Sequence, residues 1–187
     1  MNTAKERVFA IIDGSNFYHR LKELQGLEGN LLDFRYTNFV QWLTGERSIV
    51  QKTYYIGVVR AKPDDKKAQT LRRNQQRLFA ELRKDGWSIA RGYLLESGGT
   101  HHEKGVDVQI AVDLLVGAYE NLYDTAILLS SDTDLIPALA KIRSMGKKVE
   151  YVGFSQKPSY GLITHSDVRR LLLKEDVQQF LPRVRHE

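Results

Sequence analysis

Two short apolar runs constrain the fold of this chain more than any other feature. Residues 8–12 (VFAII) are continuously apolar, and residues 125–129 (TAILL) are apolar apart from the first. Neither run alternates with polar residues, which is typical of strands that are covered on both faces. The two runs therefore predict central strands of a parallel sheet between layers of helices.

The rest of the chain follows the same plan. Further strands are predicted at residues 49–59, 87–95 and 147–154, and a sixth at 168–173, with helical segments between them. This alternation predicts an α/β fold, a three-layer α/β/α sandwich with a mostly parallel central sheet. The length suits a single domain over residues 1–187, in which we expect residues 96–105 to form a mobile loop.

The composition excludes several classes of protein. There is no cysteine, which excludes disulfide scaffolds, zinc–thiolate sites and thiol catalysis. No segment reaches the roughly 20 apolar residues that span a bilayer, and the first apolar run is too short for a signal peptide. We therefore expect a cytoplasmic protein that does not contact a membrane. The net charge of +5 favours an anionic partner such as nucleic acid.

Three aspartates are predicted to meet at one edge of the sheet. Asp13 follows the first apolar run, and Asp132 follows the second after two serines. Asp107 lies in the first turn of a predicted helix, on the face that is otherwise apolar. Ligands of open α/β sheets bind outside the carboxyl ends of the strands, so these side chains indicate a functional site.

Carboxylates crowded in this way favour a divalent cation. They repel each other by roughly 1 to 4 kcal/mol per pair at 4 Å, and a hard cation removes that repulsion. Ligand sets made only of oxygen favour Mg²⁺ or Mn²⁺, which activate water and neutralise charge during phosphodiester hydrolysis. The acids therefore predict metal-dependent nuclease chemistry.

Each acid also has a purely structural interpretation. Asp13 can be a turn residue, and Asp107 can be favoured by the dipole of its helix. Pro137 is tolerated only in the first turn of a helix, which places the N-cap no earlier than Asp134. Asp134 is therefore either a cap or a site residue, whereas Asp132 has no capping role in this scheme.

Three motifs give the chain a resemblance to a known family. They are AIIDGSNFYHRL at the first strand, EKGVDVQIAVDLL at the middle helix and YDTAILLSSDTDLIPALAKIRSMGKKVEYVGF near the end. In these blocks the sequence resembles NYN domains, specifically the LabA-like branch of the PIN-like nuclease superfamily. The resemblance spans nearly the whole chain, and it implies a PIN-like sandwich with a metal-dependent ribonuclease site.

The resemblance also assigns residues to that site. The positions that match the family's metal site are Asp13, Asp107 and Asp132, with Asp134 as an outer or water-mediated member. Asn16 matches the asparagine after the first aspartate, and Lys104 matches the lysine before the middle one. The family often has glycine where Ser131 stands and phenylalanine where Leu135 stands, so the loop at Asp132 departs from the pattern.

Other polar residues in or beside the motifs have less direct links to the site. Asp113 also matches the family pattern, but it lies about 9 Å further along the helix than Asp107 and on another side, so we predict a structural role. Lys104 either holds a scissile phosphate or is a solvated loop lysine. His101 and His102 are adjacent in a loop, and we expect them to be exposed rather than to bind a metal.

A further group of residues suggests contact with a nucleic acid. Arg60 and Lys62 directly follow the strand predicted at residues 49–59, at the same edge, where they can guide a phosphate backbone. Tyr18, His19 and Tyr93 are candidates for base stacking, although packing is the commoner role of such residues.

The sequence as a whole predicts a Mg²⁺- or Mn²⁺-dependent nuclease that acts on RNA or another single-stranded nucleic acid. The alternative is a non-catalytic RNA-binding or regulatory protein with the same fold. A phosphotransferase with an aspartate nucleophile is disfavoured, because Ser15 stands where that class has a second aspartate. The oligomeric state is left open, with a homodimer among the alternatives.

Overall fold

The central sheet of the protein has seven strands within the described residues. The computed structural model describes residues 4–58, 64–97 and 100–182, with the backbone alone for residues 93–97 and 100–103. The strands are β1 (Arg7–Asp13), β2 (Ser48–Gly57), β3 (Ser88–Ser97), β4 (Thr100–Lys104), β5 (Thr125–Leu129), β6 (Lys148–Phe154) and β7 (Val168–Leu172). Their order across the sheet is β4-β3-β2-β1-β5-β6-β7, so β1 and β5 are central neighbours.

Helices cover both faces of this sheet. They are α1 (Gly14–Glu23), α2 (Tyr36–Thr44), α3 (Lys66–Lys84), α4 (Val106–Tyr119), α5 (Ile136–Ser144), α6 (Tyr160–Thr164) and α7 (Lys174–Gln178). Two 3₁₀ turns, Leu31–Asp33 and Thr133–Leu135, precede α2 and α5. One apolar core joins the sheet to α1, α2, α3 and α7, and a second joins it to α4, α5 and α6.

The two apolar runs form β1 and β5, which are central strands of the sheet as predicted. In β1, Val8, Ala10 and Ile12 enter one core, whereas Phe9 and Ile11 enter the other. Alternate side chains of a strand point to opposite faces, and both faces are covered here, so every position is apolar. The predicted α/β fold with a mostly parallel sheet is confirmed, because all strand pairs except β3–β4 are parallel.

The prediction of a loop at residues 96–105 was wrong. Most of this segment completes a hairpin in which β4 pairs antiparallel with the end of β3 and forms an edge of the sheet. The segment carries three glycines and no clear alternation of apolar residues, so the pairing comes from the neighbouring strand rather than from local preference. The hairpin leads directly into α4 and sets the start of that helix at the carboxyl edge of the sheet.

Candidate active site

Asp13 is the last residue of β1 and also the N-cap of α1. Its side chain is 6% exposed, and Oδ1 accepts a hydrogen bond of 3.1 Å from the backbone N–H of Asn16. The helix begins immediately because Gly14 lets the chain turn against the ring of Tyr54, which a Cβ at that position would approach to 2.4 Å. The carboxylate is therefore held rigidly at the end of a central strand.

Ser130 connects this carboxylate to the end of β5. Its hydroxyl donates a hydrogen bond of 3.0 Å to Asp13 Oδ2. The same Oγ accepts a hydrogen bond of 3.1 Å from the backbone N–H of Asp132. The structure therefore brings Asp13 and Asp132 together through a buried serine that the sequence analysis did not select. In the sequence, Ser130 is recognisable only as a serine directly after a buried strand. Serines are also common in ordinary turns, so this position alone does not indicate a functional role.

Asp132 also has a structural role, contrary to the sequence-based expectation. It is the N-cap of the 3₁₀ turn Thr133–Leu135, since Oδ1 accepts a hydrogen bond of 2.8 Å from the N–H of Asp134. Asp134 lies inside that turn with an exposed side chain, and α5 begins after Leu135 without a side-chain cap. Of the two roles that the sequence allowed for Asp134, the cap is therefore wrong. Pro137 limits where the α-helix begins, but a 3₁₀ turn can precede it.

The sequence allowed the Asn16 side chain either to bridge to Asp13 or to cap the following helix, but the structure gives it a different partner. Its side chain neither bonds to Asp13 in the described contacts nor caps α1. Instead Nδ2 donates a hydrogen bond of 2.7 Å to Ser131 Oγ, which also accepts one of 3.0 Å from Arg20 Nη2. Both donors come from α1, so they fix the loop after β5 against the helix after β1. Asn16 thus positions the loop that carries Asp132.

Asp107 and Lys104 lie at the same edge but on neighbouring elements. Asp107 is half-buried in the first turn of α4, and Lys104 is the exposed last residue of β4. Gly105 separates these elements in a left-handed conformation with φ of 84°. The start of α4 packs closely on β3, because a Cβ on Gly92 would meet Val106 Cγ2 at 2.7 Å. The helix also contacts β2 and the turn at residues 133–135.

Asp113 lies further along α4 and accepts a hydrogen bond from the buried phenol of Tyr55. Its carboxylate accepts hydrogen bonds of 2.7 Å from Tyr55 Oη and from Gln109 Nε2. Burial, followed by this contact with Asp113, raises the pKa of Tyr55. These bonds support the predicted structural role of Asp113.

Most of the chain matches the model of one protein family. The family described as the NYN domain matches residues 7–169, a range that runs from the start of β1 into the first residues of β7. The chain belongs to the NYN domain family. NYN domains are part of the PIN-like nuclease superfamily, which suggests nuclease activity and a nucleic-acid substrate in general.

Solved structures show that this NYN domain shares its fold with another protein. A crystal structure of a protein of unknown function from Vibrio parahaemolyticus is similar with a TM-score of 0.71 and 24% identity, over 95% of this chain and 98% of that chain. A PLP-bound C-S lyase from Staphylococcus hominis reaches only 0.33 at 9% identity, over 86% of this chain and 42% of that chain. Among curated proteins, none matches the chain significantly.

The side chains that the sequence predicts to bind metal carry oxygen atoms of the kind that a hard divalent cation prefers. Asp13, Asp107 and Asp132 offer only carboxylate oxygens, which suit Mg²⁺ or Mn²⁺. Within the described part of the chain, no three acidic or histidine side chains are close enough to form a ready-made metal site. Mg²⁺ commonly keeps several water ligands, so one or two carboxylates can be sufficient to hold it.

Several of the predicted contact residues lie outside the part of the chain that the structure describes. Arg60 and Lys62 lie outside the described residues, as do the side chains of Tyr93, His101 and His102. Among the helices that are described, none is long and apolar enough to cross a membrane.

Proposed function

We propose that this NYN domain is a Mg²⁺- or Mn²⁺-dependent nuclease that hydrolyses phosphodiester bonds in RNA. The observation that carries the proposal is the buried chain of hydrogen bonds from Asp13 through Ser130 to the backbone of Asp132. It holds two carboxylates from distant parts of the sequence at the carboxyl edge of a parallel sheet, where ligands of such folds bind. Membership of the NYN family supports the same chemistry.

The proposed roles follow from these positions. Asp13, Asp107 and Asp132 would hold the metal ion, one or two of them directly and the rest through its water ligands. The exposed Asp134 would also contact the ion through water. When bound, the metal supplies an activated water molecule and neutralises negative charge on the phosphate. Ser130 holds the Asp13 carboxylate in one orientation, so little reorganisation is needed when the substrate arrives.

Cationic side chains near the acids support a phosphate-containing substrate. Arg20 and Lys157 line a small pocket together with Asn16 and the two serines after β5. Arg20 Nη1 also pairs with Glu23 at 3.0 Å, which leaves Nη2 directed at Ser131. Lys104 is exposed at the start of α4, where a lysine can hold a scissile phosphate as a point charge.

The cytoplasmic location predicted from the sequence is part of this proposal.

Cleavage of RNA by highly purified protein tests the proposal. We expect cleavage in Mg²⁺ or Mn²⁺ and none in EDTA. Asp13→Asn and Asp107→Asn should lower the rate by orders of magnitude, because each loses a metal-binding charge. Asp113→Asn is the matched control on the same helix, and it should cleave at close to the parental rate. Equal cleavage rates for Asp107→Asn and Asp113→Asn would show that Asp107 has no role in metal binding or catalysis.

Metal binding can be measured without any substrate. A cation that binds only the folded protein should raise the melting temperature, and the shift should keep growing as its concentration rises above the dissociation constant. Asp13→Asn should abolish the shift that Mg²⁺ or Mn²⁺ produces in the parent. An equal shift in this variant would show that Asp13 is not a ligand.

The second candidate is a non-catalytic RNA-binding or regulatory protein. One observation favours it, namely that no three acidic or histidine groups of the described residues form a ready-made metal site. This protein would bind RNA with an affinity that falls steeply as salt rises, yet it would not cleave RNA in any metal. Binding without cleavage would therefore replace the nuclease proposal with this one.

A further inference from the structure

A large cleft opens beside the candidate active site, on the face of the sheet that α1 and α3 cover. We call it the α1–α3 cleft. Its volume is about 550 Å³, which is within the usual range of small-molecule sites. Gly14 and Ser15, the two residues after Asp13, form one end of it. A strand of nucleic acid with a phosphate at the acids can therefore reach the cleft with a neighbouring nucleotide.

The walls of the cleft are mainly apolar. The apolar lining residues are Ile56 at the end of β2, Val58 just after it, Leu71 and Leu78 on α3, and Leu32 in the 3₁₀ turn before α2. Leu71 is 48% exposed, although an apolar side chain on an amphipathic helix usually packs into the core. The cleft thus offers an open apolar slot between a strand end and a helix.

The rim of the cleft carries an aromatic ring and positive charge. Tyr18 is half-buried on α1, and Lys22 Nζ lies 5.5 Å from the centre of its ring. His19 lies next to Tyr18, with the ring centres 6.0 Å apart. An aromatic face beside a cation suits a base that stacks while its phosphate stays at the surface.

Uncharged hydrogen-bonding groups lie deeper in the cleft. The phenol oxygens of Tyr36 and Tyr54 are 3.5 Å apart. Burial raises the pKa of Tyr36 to about 12 and raises that of Tyr54 as well, so both phenols are neutral at physiological pH. Gln75 Nε2 donates a hydrogen bond of 2.7 Å to Gly57 O, which fixes its amide orientation, and Asn74 lies beside it in the lining.

We propose that the α1–α3 cleft binds one nucleobase of the nucleic-acid strand, close to the scissile phosphate. The inference rests on the proposed function, and it adds a base-binding subsite to it. Apolar walls, one aromatic face and neutral hydrogen-bonding groups match a flat heteroaromatic ring with polar edges. The charge at the rim matches the phosphate of the same nucleotide. Amides such as Asn74 can read the edge of the base, so the cleft gives the site a preference among bases.

The experiment is a titration of the protein with the four ribonucleoside 5′-monophosphates in EDTA, followed by NMR of the methyl groups. We expect saturable shifts of the Ile56, Leu71 and Leu78 methyl signals, of different size for different bases. Ribose 5-phosphate is the matched ligand without a base and should leave these signals unchanged. Equal shifts with ribose 5-phosphate, or none with any nucleotide, would overturn the proposal.

Variants at Tyr18 distinguish loss of base stacking from a general loss of stability. Tyr18→Ala should weaken binding of the preferred nucleotide by at least about fivefold, whereas Tyr18→Phe should bind as the parent does. Tyr119→Ala is the control, because this tyrosine is 67% exposed at the end of α4 on the opposite face. If Tyr18→Ala binds as tightly as the control, the ring does not stack on a base and the proposal fails.

The nucleotide titration is made in EDTA, so its result does not depend on the metal that the proposed nuclease needs. Nucleotide binding in EDTA together with no RNA cleavage in any metal would refute the nuclease and leave the subsite standing. Cleavage of RNA together with no nucleotide-dependent shift in the cleft would refute the subsite and leave the nuclease standing.

Discussion

The Ser130 hydroxyl donates a hydrogen bond of 3.0 Å to Asp13 Oδ2, and this contact joins the ends of two neighbouring strands. Asp13 is 6% exposed and Ser130 is 4% exposed, so water hardly competes for the bond. A buried carboxylate is costly unless hydrogen bonds or a cation compensate its charge. The Ser130 hydroxyl therefore offsets part of the cost of burying the Asp13 carboxylate at the strand end.

Removing the Ser130 hydroxyl should destabilise the protein. In Ser130→Ala, Asp13 Oδ2 loses a buried donor, which should lower the free energy of unfolding by about 1–3 kcal/mol. Urea denaturation measures this loss. The control is Ser144→Ala, whose exposed hydroxyl donates to Lys141 O at the end of α5 and should matter by less than about 0.5 kcal/mol. Equal stability of the two variants would show that the Ser130 bond contributes nothing.

Asp132 and Asp134 should differ in their effect on stability. Asp132→Ala removes the cap of the 3₁₀ turn and should cost about 1 kcal/mol, whereas Asp132→Asn keeps a side-chain oxygen that accepts the same bond. Asp134→Ala should cost little, because its exposed side chain caps no helix. Urea midpoints of the three variants give the comparison. A larger loss in Asp134→Ala than in Asp132→Ala would contradict the observed capping arrangement.

The sequence predicted the features of the fold that depend on local patterns. Apolar runs without alternation located β1 and β5, because burial on both faces leaves no polar position in such strands. The strand β4 was missed because its pairing depends on β3 rather than on its own residues. In the same way, sequence order placed Asp13 and Asp132 at one edge. It could not show that Ser130 joins them, since a hydrogen bond over 117 residues depends on the folded geometry.

Gly14 should not tolerate a side chain. In Gly14→Ala the new Cβ would lie 2.4 Å from the ring of Tyr54, which is 1% exposed and packs against Tyr36. Overpacking of this kind costs about 1–3 kcal/mol, which a urea titration detects. Shortening the opposing side chain tests the cause. Gly14→Ala should cost less in a Tyr54→Leu background than in the parent, and strictly additive losses would argue against the clash.

Acid should weaken the ion pair that closes the amino end of the sheet. Hydrogen bonds from the Arg7 side chain and backbone lower the pKa of Asp124 in the folded protein. A carboxyl group with a lowered folded pKa stabilises the protein above its unfolded pKa of about 3.8, and this contribution is lost as the pH falls through the lower folded value. Asp124→Asn should therefore have a lower urea midpoint than the parent at pH 7. The difference should shrink below roughly pH 4. A difference that stays constant down to pH 2 would show that charge is not its cause.

A buried ion pair should matter far more than an exposed one in this protein. The Glu150 side chain is 3% exposed, and it lies 2.9 Å from Arg47 and 3.4 Å from Arg170. Asp33 lies equally close to Arg77, at 2.9 Å, but the Arg77 side chain is 64% exposed.

Charge removal at the two sites gives a direct comparison. Glu150→Gln leaves partly buried guanidinium groups without their anion, which should cost about 3 kcal/mol. Asp33→Asn should cost less than about 1 kcal/mol, because water and salt already screen that pair. Urea denaturation at low and high salt distinguishes them, since salt should remove the effect of Asp33→Asn and leave most of the effect of Glu150→Gln. Similar losses that respond equally to salt would mean that Glu150 is not shielded from solvent.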